Sequence, residues 1–400
     1  MALITYIILL AILNITLAKD CVINHTPERM AFEKQLREDL TCDSSRYEPP
    51  NNGSTFYVNV RFVLKRFNFD SDLGVMSIQT WMFISWKDDR LKWDPDKYYG
   101  IKSTDMISIN IWNPGFRLFN SADSNDFDRY YYVWCVLKNT GNVHCVVRIT
   151  HSAICNAKLT DWPYDQQECS FEFGAWSVKS SYFKLNVTSR AISMFGAEYE
   201  AEWVITDYRQ EVNNSAERQL KMIFTLDREA ASLAAIVVYP AVILTVLSIT
   251  SLFLDVRRFV RLSIACFSVL GHYFFLATLA SKIPRQNSYS PNLLLYYRGS
   301  LILTVLIILV SFFLRILCKL KSTPQNYIIS MNDAVFQSYG KYLICPQWNV
   351  DDDTIVDIKR FNQDWTKFAN IINCVFSVVV IIAYVSLYCV LVPTPIPFNF

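Results

Sequence analysis

The sequence predicts an α+β multidomain membrane protein: an extracellular all-β sandwich with an N-terminal helix, followed by a four-helix transmembrane bundle. Two observations carry that reading. Across the first half the apolar pattern has a period of two, as where Phe56, Val58, Val60, Phe62 and Leu64 alternate with Tyr57, Asn59, Arg61 and Lys65. After Glu229 the pattern becomes long uncharged runs, the first being Ala230 to Leu254, twenty-five residues without a charge. That is enough to cross about 30 Å of hydrocarbon as a helix.

Composition agrees. Of 400 residues 52% are apolar and the formal net charge is only +2, which excludes a soluble single domain and a nucleic-acid binder. Residues 1–18 are mostly apolar and end Thr16-Leu17-Ala18 before Lys19-Asp20, the pattern of a signal peptide, with an uncleaved anchor as the alternative. Six cysteines (Cys21, Cys42, Cys135, Cys145, Cys155, Cys169) precede the first long apolar run, an even number that suits disulfide pairing in a secretory compartment. Sequons at Asn24, Asn52, Asn186 and Asn213 fall in the same portion and agree with an extracellular location.

The elements follow in order. Thr26-Pro27-Glu28 to Leu40 reads as a short helix with a threonine cap and proline at its first position. About ten short strands then suggest one sandwich ending near residue 229. Spans are expected at Ala230 to Leu254, Leu262 to Ser281, Tyr296 to Leu314 and Phe368 to Val392. Arg257, Arg258 and Arg261 between the first two, and Arg315, Lys319 and Lys321 after the third, put those connectors in the cytoplasm. Residues 230–318 then hold three spans, 319–367 form a short polar cytoplasmic loop, 368–392 the fourth span, and 393–400 an extracellular tail. His272, inside the second span, is expected to be a hydrogen-bonded packing side chain.

The most informative run is Cys155 to Cys169, two cysteines separated by thirteen residues with Trp162-Pro163-Tyr164-Asp165 between them. A disulfide there would close a rigid, partly apolar knob with a carboxylate near its apex. The spacing and tip resemble the signature loop of the pentameric Cys-loop ligand-gated ion channels. Collinear matches extend the resemblance over nearly the whole mature chain. Trp86 to Asp94 is similar to the family's W-x-D-x-R-L-x-W-D, and Trp112-Asn113-Pro114 with Leu118 to Asp123 to its W-x-P-D-x-x-L-Y-N-x-A-D. Arg228 stands twelve residues before Pro240, and Asp364-Trp365 precedes the last span. These matches are nicotinic in character.

The resemblance implies site residues. Trp176 and Phe119 would lie on the principal face of an agonist site and Trp81 on the complementary face, holding a cation through ring quadrupoles. Phe119 replaces an expected tyrosine, and Tyr208 to Phe224 lacks the adjacent cysteines of alpha subunits, so the chain is not alpha-like. A divergent, beta-like subunit in a heteropentamer with alpha-type partners is implied. Its transmitter would be a small cation such as acetylcholine, its surroundings membrane lipid, its location the plasma membrane, amino terminus outside, at synapses. Asp165 and Arg228 would form a charge-assisted pair coupling binding to opening, with Trp162, Pro163 and Tyr164 in the same loop. Cys155 would pair with Cys169. Cys135 and Cys145 flank a hairpin turn and either form a second disulfide or remain buried thiols; Cys21 with Cys42 is the other possible pair.

Pro284 resembles the proline that ends the family's second-span helix; counted back from it at helical spacing, the resemblance implies that Ser263, Phe267, Leu270, Phe274, Thr278 and Ser281 face the pore, with Leu270 where the family has its hydrophobic gate leucine. Val260 and Ser281 stand where cation-selective relatives carry glutamates, and Phe259-Val260-Arg261 lacks the proline-alanine of anion-selective ones. The segment therefore specifies neither selectivity. Phenylalanines at two pore levels favour an alternative reading, a non-conducting structural or regulatory subunit. No catalytic triad, zinc-ligand spacing or phosphate loop stands out, so neither an enzyme nor a cofactor or metal is expected.

Overall fold

The computed structural model describes residues 28–50, 55–123, 132–175, 183–198, 200–213, 219–283, 290–337 and 363–394. The expected leader, Cys21, Asn24, Asn52, Trp176 and Pro284 lie outside these residues. Helix α1, Glu28–Asp43, is the first described element and buries Leu36 and Leu40. Ten strands follow: β1 Phe56–Asp70, β2 Val75–Lys92, β3 Ser103–Ile107, β4 Phe116–Leu118, β5 Trp134–Lys138, β6 Thr140–Ile154, β7 Gln166–Ala175, β8 Phe183–Ser193, β9 Trp203–Asn213 and β10 Gln219–Arg228.

They form a six-stranded sheet, β3-β5-β6-β2-β1-β8, and a four-stranded sheet, β4-β7-β10-β9. Burial alternates along β1 and β2, so each strand gives one face to the core and one to its surroundings. Between the sheets aromatic rings interlock: Phe62 lies 4.9 Å from Phe173, and Phe116 stacks on Phe173 at 5.6 Å. Cys155, just after β6 in one sheet, is joined to Cys169 on β7 of the other. Cys135 and Cys145, direct cross-strand partners on β5 and β6, are also joined, and both are buried. Cys42 is exposed and bonds to no described cysteine.

Four helices long and apolar enough to cross a membrane follow: α2 Ala231–Leu252, α3 Phe259–Lys282, α4 Asn292–Cys318 and α6 Gln363–Leu391. The expected loop 319–367 is partly structured, because α5, Asn326–Gln337, lies within it and α6 begins before residue 368. Asn332 on α5 donates to the Asp364 carbonyl at 3.0 Å, and Trp365 Nε1 to the Ser322 carbonyl at 2.8 Å. The polar residues of the loop thus fold back on the polar first turn of α6 instead of remaining a simple linker.

Lipid offers no hydrophobic drive for packing apolar helices together, so polar contacts matter more there. Ser248 on α2 meets Ser268 on α3 at 2.7 Å and Thr304 on α4 at 3.1 Å, and Thr304 meets the Tyr384 hydroxyl on α6 at 3.1 Å. His272 is buried, with Nδ1 2.7 Å from the Ser268 carbonyl and Nε2 2.6 Å from Ser300 Oγ. A carbonyl only accepts, so Nδ1 carries the proton and the Ser300 hydroxyl donates to Nε2 in the neutral ring.

The β5–β6 hairpin needs Gly141, whose φ is +81°; a Cβ there would stand 2.5 Å from the Asp88 carbonyl oxygen. Gly115 also has positive φ, +63°, but open space around it. Gly141→Ala is expected to destabilise the extracellular domain by about 1–3 kcal/mol, and more than Gly115→Ala. Thermal unfolding of the purified full chain, with surface amount in cells, checks both; equal effects of the two changes would remove the Asp88 contact as a cause.

Candidate functional site: the junction between sandwich and membrane helices

The loop closed by Cys155 and Cys169 ends against the outer ends of the membrane helices. Its Trp162 is almost wholly buried, in one apolar cluster with Leu159, Val237, Ala241, Leu279, Tyr296 and Tyr297. Pro163 is also buried and joined to Trp162 by a cis peptide bond, while Tyr164 is half-buried. The Asn292 N–H at the start of α4 donates to the Thr160 carbonyl at 3.0 Å. The loop tip is thus a plug in the helix bundle, tied to it by both apolar burial and a backbone hydrogen bond.

Asp165 follows the tip, and Arg228 ends β10 immediately before α2. Arg228 Nε donates to Asp165 Oδ1 at 2.7 Å and Nη2 to Oδ2 at 3.2 Å, a two-pronged pair with both side chains almost wholly shielded from solvent. Glu202, half exposed, accepts from Arg228 Nη1, and the guanidinium lies 4.1 Å from the Trp203 ring centroid. Gln167 completes the cage: its amide donates to Asp165 Oδ2 at 2.6 Å and to the Lys158 carbonyl at 2.9 Å, and its Oε1 accepts from the Lys158 N–H at 2.8 Å. Glu202, Trp203 and Gln167 have no signal in the sequence pattern, since each gains its place only when β9, β10 and the loop converge.

The other expected residues are elsewhere. Trp81 stands on the outer face of the six-stranded sheet, about a third exposed. Lys65 Nζ and the Arg148 guanidinium each lie 4.7 Å from its ring centroid. Phe119 is half-buried after β4, its N–H donating to the Glu172 carbonyl at 2.7 Å. Tyr208 on β9 packs on Phe224 and donates to Gln210 Oε1 at 2.9 Å; burial pushes its phenol up to about 12. Asn186 and Asn213 are exposed, Asn186 Nδ2 donating to Asn59 Oδ1 at 2.6 Å.

On α3 the bundle side is made by Arg261, Ala265, Ser268, His272 and Leu279. Helical periodicity sets the six expected pore residues on the opposite side. Phe267, Leu270 and Phe274 are each more than three-fifths exposed in the single chain, Ser281 is exposed, and Ser263 and Thr278 are intermediate. Arg261 turns inward, its Nε donating to Ser311 Oγ at 2.9 Å, so this charge does not line the same side as Leu270. Among the described residues no group of three or more His, Cys, Asp or Glu could hold a metal ion.

Residues 33–230 match the model of the neurotransmitter-gated ion-channel ligand binding domain. The chain is similar to the acetylcholine receptor subunit beta-type acr-3 of Caenorhabditis elegans, 24% identical over 73% of this chain and 59% of the relative. It is 25% identical to the beta-type subunit unc-29 of the same organism, over 72% and 59%, and 22% identical to the neuronal acetylcholine receptor subunit non-alpha-2 of Carassius auratus, over 86% and 77%. The chain spans about three-fifths of the length of the two nematode relatives. A ligand-binding sandwich of this family, joined through a disulfide-closed loop to four apolar helices, is the architecture of a multi-pass plasma-membrane receptor. The chain belongs to the Cys-loop family of neurotransmitter-gated ion channels, as a beta-like member of the nicotinic branch.

Proposed function

We propose that the chain is a non-alpha subunit of a pentameric, acetylcholine-receptor-like channel, in which agonist binding at extracellular subunit interfaces opens a transmembrane pore. The observation that carries this is the junction. One loop buries Trp162 among the membrane helices and pairs Asp165 with the strand that continues into α2. A displacement of the sandwich is then transmitted to α2 and α4 without intervening slack, because packed contacts of this kind hold discrete arrangements and do not stretch. Alpha-type neighbours supply the principal side of the agonist site, for a small cation such as acetylcholine. Leu270 forms the gate by excluding water from the pore.

A second reading has its own support. Phe267, Leu270 and Phe274 give three bulky apolar levels within eight residues of α3, roughly 10 Å of helix. Five copies would occlude a homomer and each copy narrows a mixed pore, so a subunit that assembles without conducting is the alternative.

Voltage-clamp recording in oocytes separates these readings. Expressed with an alpha-type nicotinic subunit, the chain is expected to yield acetylcholine current whose properties differ from those of the alpha subunit alone. Surface assembly with suppressed current that Phe267→Ser with Phe274→Val restores would establish the non-conducting reading. For the junction, Asp165→Asn is expected to leave the buried guanidinium with only the half-exposed Glu202 as counter-charge and to cost about 3 kcal/mol in stability, the low end for breaking a buried pair. Loss of gating at preserved surface level is expected from the milder Glu202→Gln. Unchanged concentration dependence in Glu202→Gln, together with unchanged melting in Asp165→Asn, would remove the junction from the coupling path.

A further inference from the structure

The cytoplasmic end of the helix bundle holds more positive charge than its own residues neutralise. Helices α2, α3 and α4 contain no acidic residue, and Asp255 is the only one in the connector from α2 to α3, yet Arg257, Arg258, Arg261 and Arg315 all stand there. Arg257 takes Asp255 for itself: its backbone N–H donates to Oδ1 at 2.9 Å and its Nη2 to Oδ2 at 2.7 Å. Burial pushes the Asp255 carboxyl up, but the hydrogen bonds from Arg257 and the charges of Arg257 and Arg258 outweigh it and hold the group below the ordinary carboxylate range. The other three guanidiniums make no ion pair with a described residue. They also gather. Arg261 is almost wholly buried and crosses from α3 to α4, its Nε donating to Ser311 Oγ at 2.9 Å and its Nη1 to the Leu254 carbonyl at 3.4 Å. Arg315 stands one helical turn beyond Ser311 on α4, and its guanidinium carbon lies 5.7 Å from the ring centroid of Phe259, the first residue of α3. Arg258 immediately precedes that ring.

Each of these three side chains keeps one nitrogen, Arg258 Nη1, Arg261 Nη2 and Arg315 Nη1, buried and without a hydrogen-bond partner among the described residues. Buried donors in native proteins are satisfied, and a charged donor left alone costs more than a neutral one. Water would answer the donors but not the surplus charge. We infer that the start of α3 and the last turns of α4 form a site for the phosphate of an anionic phospholipid of the inner leaflet, held by Arg258, Arg261 and Arg315. The depth is that of a headgroup: Phe312 and Ile316 are exposed on α4 beside Arg315 and offer an apolar ridge to the acyl chains, while the exposed Lys319 and Lys321 follow on the cytoplasmic side. Planar guanidiniums suit phosphate oxygens in pairs. A phosphomonoester headgroup, with about two negative charges, matches the surplus better than a diester with one. Arg261 ties the site to α3, so an occupied site holds the foot of that helix against α4.

The full chain purified in detergent tests this, with a dye-labelled dioctanoyl phosphatidic acid followed by fluorescence anisotropy. Unlabelled dioctanoyl phosphatidic acid is expected to displace the probe, and dioctanoyl phosphatidylcholine or millimolar inorganic phosphate to leave it bound. Arg258→Gln and Arg315→Gln are each expected to weaken the probe roughly fivefold and together roughly twenty-fivefold, the size of one basic residue's attraction to an anionic leaflet taken once and twice. Lys321→Gln, outside the cluster, is expected to change it less than about twofold. Arg261 is left in place because it holds α3 on α4, and melting of each variant in phosphatidylcholine alone reports its folding. Equal weakening by Lys321→Gln would reduce the effect to diffuse surface charge. Displacement by inorganic phosphate would assign the nitrogens to a free anion, and binding untouched by the double change would leave them to a carboxylate of a neighbouring subunit. Any of these overturns the inference, and so does a probe that phosphatidylcholine displaces equally well in the unchanged chain, a comparison that needs no variant to fold. No arm depends on agonist or current, so the result is separate from the recording experiment that tests channel function.

Discussion

The ion pair between Arg228 and Asp165 is the constraint around which the molecule is arranged. Removing two charges from water is costly, and the cost is offset only when geometry is good and the remaining donors and acceptors are satisfied. Here the guanidinium meets two carboxylates and lies over an indole, and the Asp165 carboxylate also accepts from Gln167. Meeting those demands fixes the end of β10, the start of β9 and the loop between β6 and β7 relative to one another. The disulfide of that loop joins the two sheets, so the sandwich as a whole is referred to the same point.

Below that point the membrane helices obey a different economy. Apolar side chains face lipid on one side and other helices on the other, and burial alone does not choose between them. The hydroxyls of Ser248, Ser268, Thr304 and Tyr384, together with His272 and Ser300, supply the choice, because each finds its partner only in one rotation of its helix. Rotation of α3 in turn decides which of its residues remain on the side away from the bundle. Arg261 takes part in that choice by hydrogen-bonding to Ser311, and its charge is withdrawn from the side where Leu270 stands.

At the sheet surface, aromatic residues and cations are combined within one chain. Trp81 is held between its register partner Arg148 and the bulge residue Lys65, so its indole is already engaged by two cations of its own chain.

Much of this was legible in sequence because it depends on local periodicity and spacing. Alternation over β1 and β2, the twenty-five uncharged residues from Ala230, and the loop from Cys155 to Cys169 each state their structure within one segment. The pairing of Asp165 with Arg228 was reached only through resemblance, and α5 and the early start of α6 were missed because polar residues there find partners 32 and 43 positions apart. By itself the sequence determined the order of elements, the two-part division and which face of the first strand is apolar, since a period of 2 is a property of the local chain. Only the tertiary structure decided that Gln167, Glu202 and Trp203 surround Arg228, that Arg261 turns inward, and that Lys65 shares the Trp81 ring. Those outcomes depend on distances between segments remote in the chain, fixed by packing and register, which no local pattern encodes.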